Sequence, residues 1–350
     1  MSKRRTFIKT FVILGAILLV AGLAVFVGGM TAGGWDFSIL NTVRYTQKSY
    51  DAEGSVTAVR IEYSDASIAV EYSETAENVH IDYPVRLNER DEEISQIAIT
   101  ETDGVLTLTE HRDWQDSLFQ WDIDLDFGDD SARTVCVVLP AGQNIALDLY
   151  TANGSVSLDA DGEALPSLSL RSDNGSISAG GALNITGNAT FSTTNGSVKV
   201  SGVAAEGDLA LRTANGSMWA ESLSAANMQA KTSSGSMTLK DISAANALTA
   251  ETGSGEIELL GDITAKTLTV KTGAGAIAMR DGIIDAQEIA MTTDYGNIGA
   301  EGSAFAGSQS DYTVLVSTGM GESNVSDSVG GSRKLTLTTG AGSISVFFEN

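Results

Sequence analysis

The sequence predicts an all-β protein: a parallel β-solenoid, read as a right-handed β-helix of about 20 residues per coil, after one N-terminal transmembrane helix. Three observations predict it. Glycine recurs at 154, 175, 196, 216, 235, 255, 275, 296, 321 and 342, at spacings of 19 to 25 residues. Apolar and polar residues alternate on both sides of these glycines, the pattern of strands with one face inward. An uncharged, strongly apolar run from Thr10 to Gly34 precedes the repeat.

Composition narrows the class. The chain has 350 residues, with 37 glycines and 3 prolines. Glycine does not fall at every third position, which excludes a collagen triple helix. Apolar residues make up 42% and alternate regularly, which argues against disorder. Residues 31–350 carry all 45 acidic residues and 17 of the 21 basic ones, a formal charge of −28. Such a surface repels the phosphates of nucleic acid, so no nucleic-acid partner is expected. Cys136 is the single cysteine, so no intrachain disulfide forms, which argues against a disulfide-stapled domain.

Residues 1–9 form a basic tail, with Lys3, Arg4, Arg5 and Lys9. Residues 10–30 supply about the 20 apolar residues that a bilayer-spanning helix needs. A cleaved signal peptide is the competing reading. Its apolar region usually runs about 7–15 residues, and Thr31-Ala-Gly-Gly34 is a weak cleavage site. The positive flank precedes the span, which places the N-terminus in the cytoplasm and the rest outside. Residues 31–54 read as a polar linker, with Trp35 where an interfacial aromatic sits.

Residues 55–145 read as irregular N-terminal coils with insertions, since terminal repeats of a solenoid are atypical. Val59–Tyr63, Ser64-Asp-Ala66 and Ser67–Val70 make one degenerate copy of the repeat. Gln96–Ile99, Thr102-Asp-Gly104 and Val105–Leu108 make a second. Acidic excursions at 71–95 and 110–131 interrupt them, and Thr134–Pro140 is a plain apolar strand.

Residues 146–350 form the regular array. Thr stands three residues before the glycine in nine of ten copies, with Ser172 the exception, so the register holds from copy to copy. Leu209 and Leu211 before Gly216, and Met237 and Leu239 after Gly235, show the two alternating strands. Ile185, Val203, Leu223, Ile242, Ile263 and Ile283-Ile284 mark a third side. Asn153, Asn174, Asn195 and Asn215 directly precede the glycine, and Asn-Gly suits a tight turn with positive φ at both positions. Where Asn is lost, Gly253, Gly273, Gly319 or Gly340 stands one place earlier, which reads as a backbone requirement met by another route. A two-residue hairpin would give antiparallel neighbours, whereas the copy-to-copy register favours parallel stacking. Coil lengths that vary disfavour a strict hexapeptide left-handed helix. Phe347 and Phe348 are expected to plug the C-terminal end of the core, or to pair with a partner there.

The basic-flanked anchor, the acidic β lead-in, the Val137-Val-Leu-Pro140 strand and the Thr-x-Asn-Gly-Ser units resemble the bacterial "putative adhesin" family of β-strand-repeat domains of unknown function. The resemblance covers residues 55–350. It implies surface attachment and an association with cell-envelope stress systems, and it supplies no catalytic residues. The chain lacks a sortase-type Leu-Pro-x-Thr-Gly signal, so attachment rests on the N-terminal helix.

Candidate chemistry is sparse. Asp122–Gly128 fails as a calcium loop, because Phe127 and Arg133 stand where an EF-hand needs Gly and Glu. His80 and His111 sit in no triad context, and Cys136 lies in a Val-rich strand where a free thiol is packing. No catalytic residue, metal site or cofactor is assigned. The stretch that breaks the repeat most sharply holds Trp114, Phe119 and Trp121, which cap the core or bind a partner.

The expectation is a single-pass protein of the cell membrane of a Gram-positive bacterium, N-terminus in the cytoplasm and solenoid outside. It is read as a non-catalytic adhesin or envelope interaction and stress-sensing module. Its partners are its own membrane through residues 10–30 and an envelope or surface component, protein or polysaccharide. End-to-end self-association through the solenoid ends is a further expectation. A structural spacer and a β-helix polysaccharide lyase or hydrolase are the rival readings.

Overall fold

The computed structural model describes residues 43–88, 90–111 and 130–349, together with Gly22, Val27–Gly29 and Thr31, which are helical. Among the described residues no helix is long and apolar enough to cross a membrane, and most of residues 10–30 lies outside them. Two units are distinguished. The first comprises residues 1–46, 86–94 and 113–130. In it Arg44 pairs with Asp91 at 3.2 Å, and Leu87 bridges Glu93 in antiparallel fashion. The second comprises residues 47–85, 95–112 and 131–350 and is an all-β parallel solenoid.

Each coil has three sides. In one, Asp208–Asn215 makes the first side, Met218–Ala220 the second and Leu223–Ala225 the third. Equivalent residues pair in parallel across coils: Leu147 with Leu168, Leu209 with Met228, Leu248 with Leu268. Every second side chain points inward, and Leu211, Ala220, Leu239, Leu259 and Val270 are fully buried. The third side is as expected, with Ile185, Val203, Leu223, Ile242, Ile263 and Ile284 buried, while Ile283 faces solvent. A buried Leu or Ile contributes roughly 1.5–3 kcal/mol, and a coil alone would leave both its flanks wet, so neighbouring coils supply the stability.

The first corner is built differently from the expected tight turn. Asn153, Asn174, Asn195 and Asn215 end extended strands and have no positive φ. Glycine follows because stacked coils approach too closely for a side chain. A Cβ on Gly175 would overlap the carbonyl oxygen of Gly154, and one on Gly255 that of Gly235. Gly255 also holds φ at 140°, where L side chains are rare. The asparagines form a side-chain ladder instead of a turn. Each Nδ2 donates to the Oδ1 one coil below, Asn215 to Asn195, Asn195 to Asn174 and Asn174 to Asn153, each at 2.9 Å. Asn153 ends the ladder on Asp65 at 2.6 Å. The threonines point inward, and from Thr193 to Thr293 each hydroxyl donates to the glycine carbonyl of the preceding coil. Thr193 reaches Gly175 at 2.7 Å, Thr272 reaches Gly255 at 2.9 Å, and Ser172 does the same with Gly154 at 2.8 Å.

A second corner, between the second and third sides, escapes the sequence reading. It uses a residue in the left-handed region: Gly202, Ser222, Asp241, Gly261, Asp281 and Gly302 have φ of 53° to 68°. Gly and short polar residues are those that tolerate this conformation. The signal was present, since each follows its corner glycine by six residues, as Asp241 follows Gly235.

At both ends the spatial order of the coils departs from the sequence order. Strands β1 (Arg44–Asp51), β2 (Ala58–Tyr63), β3 (Ser67–Ser73), β4 (His80–Leu87), β5 (Gln96–Thr102), β6 (Val105–His111), β7 (Thr134–Pro140), β8 (Ala146–Asn153) and β9 (Val156–Asp159) build the N-terminal end. β2 and β3 form the expected degenerate coil, stacked on β8 and β9, with Thr151 donating to the Ala66 carbonyl at 2.7 Å. The outermost rung comes later in the chain: β6 lies parallel on β2, and β7 parallel on β3. The expected second degenerate copy is therefore corrected. β5 and β6 form an antiparallel hairpin, with Asp103 and Gly104 at φ 52° and 76°, the geometry of a two-residue hairpin turn. β5 covers the edge of β6, and β4 covers that of β7. β1 is a strand where the sequence reads as linker.

The C-terminus mirrors this arrangement. Residues 333–341 pair with 288–295 on one side and with 312–320 on the other. The last first-side strand thus lies inside the next-to-last, and the 25-residue gap between Gly296 and Gly321 marks the detour. Phe348 packs with Phe305 and Tyr312 at ring distances of 5.8 and 5.5 Å. Phe347 is 52% exposed, so only one of the two phenylalanines plugs, and it does so one rung in from the end.

Candidate functional site

Trp114, Phe119 and Trp121 lie outside the described residues, as does Asp122–Gly128. His80 lies between Asp51 and Asp82, at 2.7 and 3.2 Å, on the strands that cover the N-terminal end. The Asp51 hydrogen bond raises its pKa. Cys136 is half-buried beneath β4, and burial, then Asp82 and Glu71, push its thiol pKa up, which lowers its thiolate fraction. Among the described residues no cluster of His, Cys, Asp or Glu could hold a metal.

The outward positions of the solenoid offer two open troughs. On the first side a groove of about 600 Å³ runs over Ser167, Ser169, Asn188 and Thr190, with Arg60, Asp148 and Arg171 beside it. Its cations are already engaged. Asp148 accepts from Arg171 at 2.8 Å and from Arg60 at 3.3 Å, and Arg171 lies 5.6 Å from the Tyr150 ring centre.

The second side carries a trough of about 340 Å³. Its floor is Ala69, Ser157, Ser178 and Gly180, Glu71 and Asp159 stand at one end, and Lys199 and Ser201 at the other. The register places Trp219 next to Lys199 and Glu221 next to Ser201, one coil further on. The Trp219 side chain is exposed at 38%, and its Nε1–H donates to Glu221 Oε2 at 3.3 Å. That bond, between outward positions two apart on one strand, leans the indole along the sheet. Glu221 is fixed in turn by Lys240, whose Nζ donates to Oε1 at 2.6 Å. The Lys240 bond, then the indole bond, hold the Glu221 carboxyl below the usual carboxylate range. A general acid needs the opposite shift. Lys199 lines the trough and forms no ion pair with the described residues, and its charge also helps to hold Glu221 ionised.

Taken together, this second-side surface has an oriented aromatic platform, a cation, a floor of small hydroxylated residues and a carboxylate held ionised. Such a surface presents groups suited to stacking and hydrogen bonding. Trp219 was absent from the sequence-derived candidates. Its signal was a tryptophan in a column of outward positions otherwise held by Ser157, Ser178, Lys199, Thr238 and Glu258.

No curated protein matches. Among the solved structures that are similar are three described as adhesins or a cell adhesion protein. One, described as a putative adhesin from Bacteroides fragilis, is 16% identical and aligns over 69% of this chain and 97% of its own, with a TM-score of 0.37. A second, described as a putative cell adhesion protein from Clostridium sporogenes, is 8% identical over 87% of this chain and 100% of its own, at a TM-score of 0.26. A third, described as a putative adhesin from Parabacteroides distasonis, is 13% identical over 87% of this chain and 97% of its own, at 0.25. The family model described as Toastrack DUF4097 matches residues 56–260, which runs from the degenerate N-terminal coil into the regular array and makes the chain a member of that family of unknown function.

Proposed function

We propose that this chain is a membrane-anchored, non-catalytic interaction module that displays its solenoid outside the cell and contacts an envelope or surface component. The observation that carries the reading is the second-side surface around Trp219: a rigid, laddered face bearing one oriented aromatic group. The anchor rests on the sequence. Lys3, Arg4, Arg5 and Lys9 precede an uncharged apolar run long enough to span a bilayer, an arrangement that keeps the N-terminus inside. The adhesin or stress-sensing role belongs to this contact, whose strength would report the state of the envelope. Attachment through residues 10–30 leaves the coils free to face outward.

Purified full-length protein is expected to be retained by envelope fractions, and Trp219→Ala to reduce that retention. Incubation with the same fractions is expected to release no soluble sugar or peptide fragments. Retention that Trp219→Ala leaves unchanged would favour a spacer, and time-dependent release of fragments would favour an enzyme.

A further inference from the structure

We propose that the second-side trough is a glycan-binding site for a short, uncharged, equatorially linked pyranose chain, with one sugar ring stacked on Trp219, the next lying over Lys199 and Ser201, and a third over Ser178 and Gly180. The inference rests on the reading of this face as the contact surface and names what it contacts.

Four features carry it. A sugar ring presents a C–H face that packs on an aromatic plane and an equatorial rim of hydroxyls that needs donors and acceptors. Trp219 supplies the plane. Its Nε1–H is spent on Glu221, so the indole is fixed before any ligand arrives, and pre-organisation reduces the entropy lost on binding. The floor supplies the polar partners: the Ser157 and Ser178 hydroxyls, and the Lys199 ammonium, which donates to sugar oxygens. Gly180 leaves the backbone uncovered beside them, so a ring can approach closely.

The dimensions agree. The trough of about 340 Å³ lies at the lower end of small-molecule sites. Stacked coils repeat every ~4.8 Å, about the length of one pyranose in an extended chain, so successive rings fall on successive coils. The charges favour a neutral ligand. Glu71 and Asp159 close one end of the trough, so a uronic-acid chain would meet their carboxylates there, while at the other end Glu221 is paired with Lys240. The first-side groove is larger, but both of its arginines are engaged by Asp148, and it has no exposed indole.

The test is a calorimetric titration of the full-length protein in detergent with cellohexaose, chitohexaose and, as an acidic comparison of the same equatorial linkage, β-1,4-linked hexaglucuronate. At least one of the two neutral oligosaccharides is expected to bind saturably, and hexaglucuronate to bind more weakly. Trp219→Ala is expected to weaken binding about tenfold or more, the scale of an aromatic anchor in an interface. Ser178→Trp, which fills the floor and leaves Trp219 in place, should abolish binding of the third ring and lower affinity comparably. Both positions face solvent, and unchanged circular dichroism will show that the variants fold. Failure of both neutral oligosaccharides to bind, tighter binding of hexaglucuronate, or indifference to both substitutions would overturn the proposal. If envelope fractions still retain the protein in those cases, the interaction reading stands and its ligand is not a neutral glycan. If nothing retains it, that reading falls as well.

Discussion

A buried hydroxyl that donates across coils links each turn of the solenoid to the one before it. Thr272 gives its proton to the Gly255 carbonyl, and replacement by valine keeps the shape while leaving that carbonyl without its partner. Thr272→Val is expected to cost about 1–2 kcal/mol, read as faster amide exchange in residues 257–279, and Thr272→Ser to cost less. Unchanged exchange in the valine variant would remove the hydroxyl from the account. Gly255→Ala should be far worse, because the new Cβ overlaps the Gly235 carbonyl and φ is unsuited to alanine. The sequence displayed the Thr and Gly columns plainly. It hid their reasons, because the partner of each lies a full coil away, and so the glycine was assigned to a turn when the cause is interlayer contact. His80 makes a pH-dependent contribution. Its folded pKa is raised by Asp51, so its stabilisation is complete below the unfolded value of about 6.5 and fades as pH rises through the folded one. The exchange protection of β4 should therefore fall as pH rises above about 6.5 in the native protein and stay flat in His80→Gln. Equal slopes in both proteins would show that the Asp51–His80–Asp82 contact contributes nothing.

Strands at the ends of the stack need partners, and the chain provides them by placing coils out of sequence order. Val314, Val316 and Thr318 pair with Leu335, Leu337 and Thr339, which pair in turn with Ile289, Met291 and Thr293. All three rungs carry an apolar, apolar, hydroxyl pattern facing the same way. Deletion of residues 333–350 should accordingly leave a foldable protein in which 312–320 moves one rung inward onto 288–295. Residues 288–295 would keep their exchange protection, while overall stability would drop with the loss of the Phe348 contacts to Phe305 and Tyr312. Exposure of 288–295, or aggregation of the truncated protein, would show that the inserted strand is indispensable. This permutation was only partly readable in advance. Periodicity identifies a coil but is silent on which neighbour it stacks upon, and the long Gly296–Gly321 interval was the single trace. At the other end the Asp103-Gly104 dipeptide carries the local signal of a hairpin, which the likeness of residues 96–108 to a repeat copy masks.

On the scale of the whole molecule, a strongly acidic solenoid presents faces of small polar residues, and one face is marked by an oriented indole. The parallel β-solenoid could be read from the glycine period and the alternation, because stacking identical residues repeats one local solution many times. The Trp219 face could not, because a single outward tryptophan breaks no rule of the repeat, whereas the aromatics at 114–121 stand out by interrupting it. The formal charge of −24 makes self-association of these faces salt-dependent: end-to-end contacts should strengthen as ionic strength screens the repulsion. Sedimentation at about 0.02 M and about 0.5 M salt checks this, and association that weakens at the higher salt would contradict it. The claim that joins fold to role is display of the second-side face outside the cell. Ser178→Cys in a Cys136→Ser background places one thiol in the trough, and intact cells can be treated with a membrane-impermeant maleimide. The account predicts labelling on intact cells equal to that after lysis, whereas labelling seen only after lysis would contradict it.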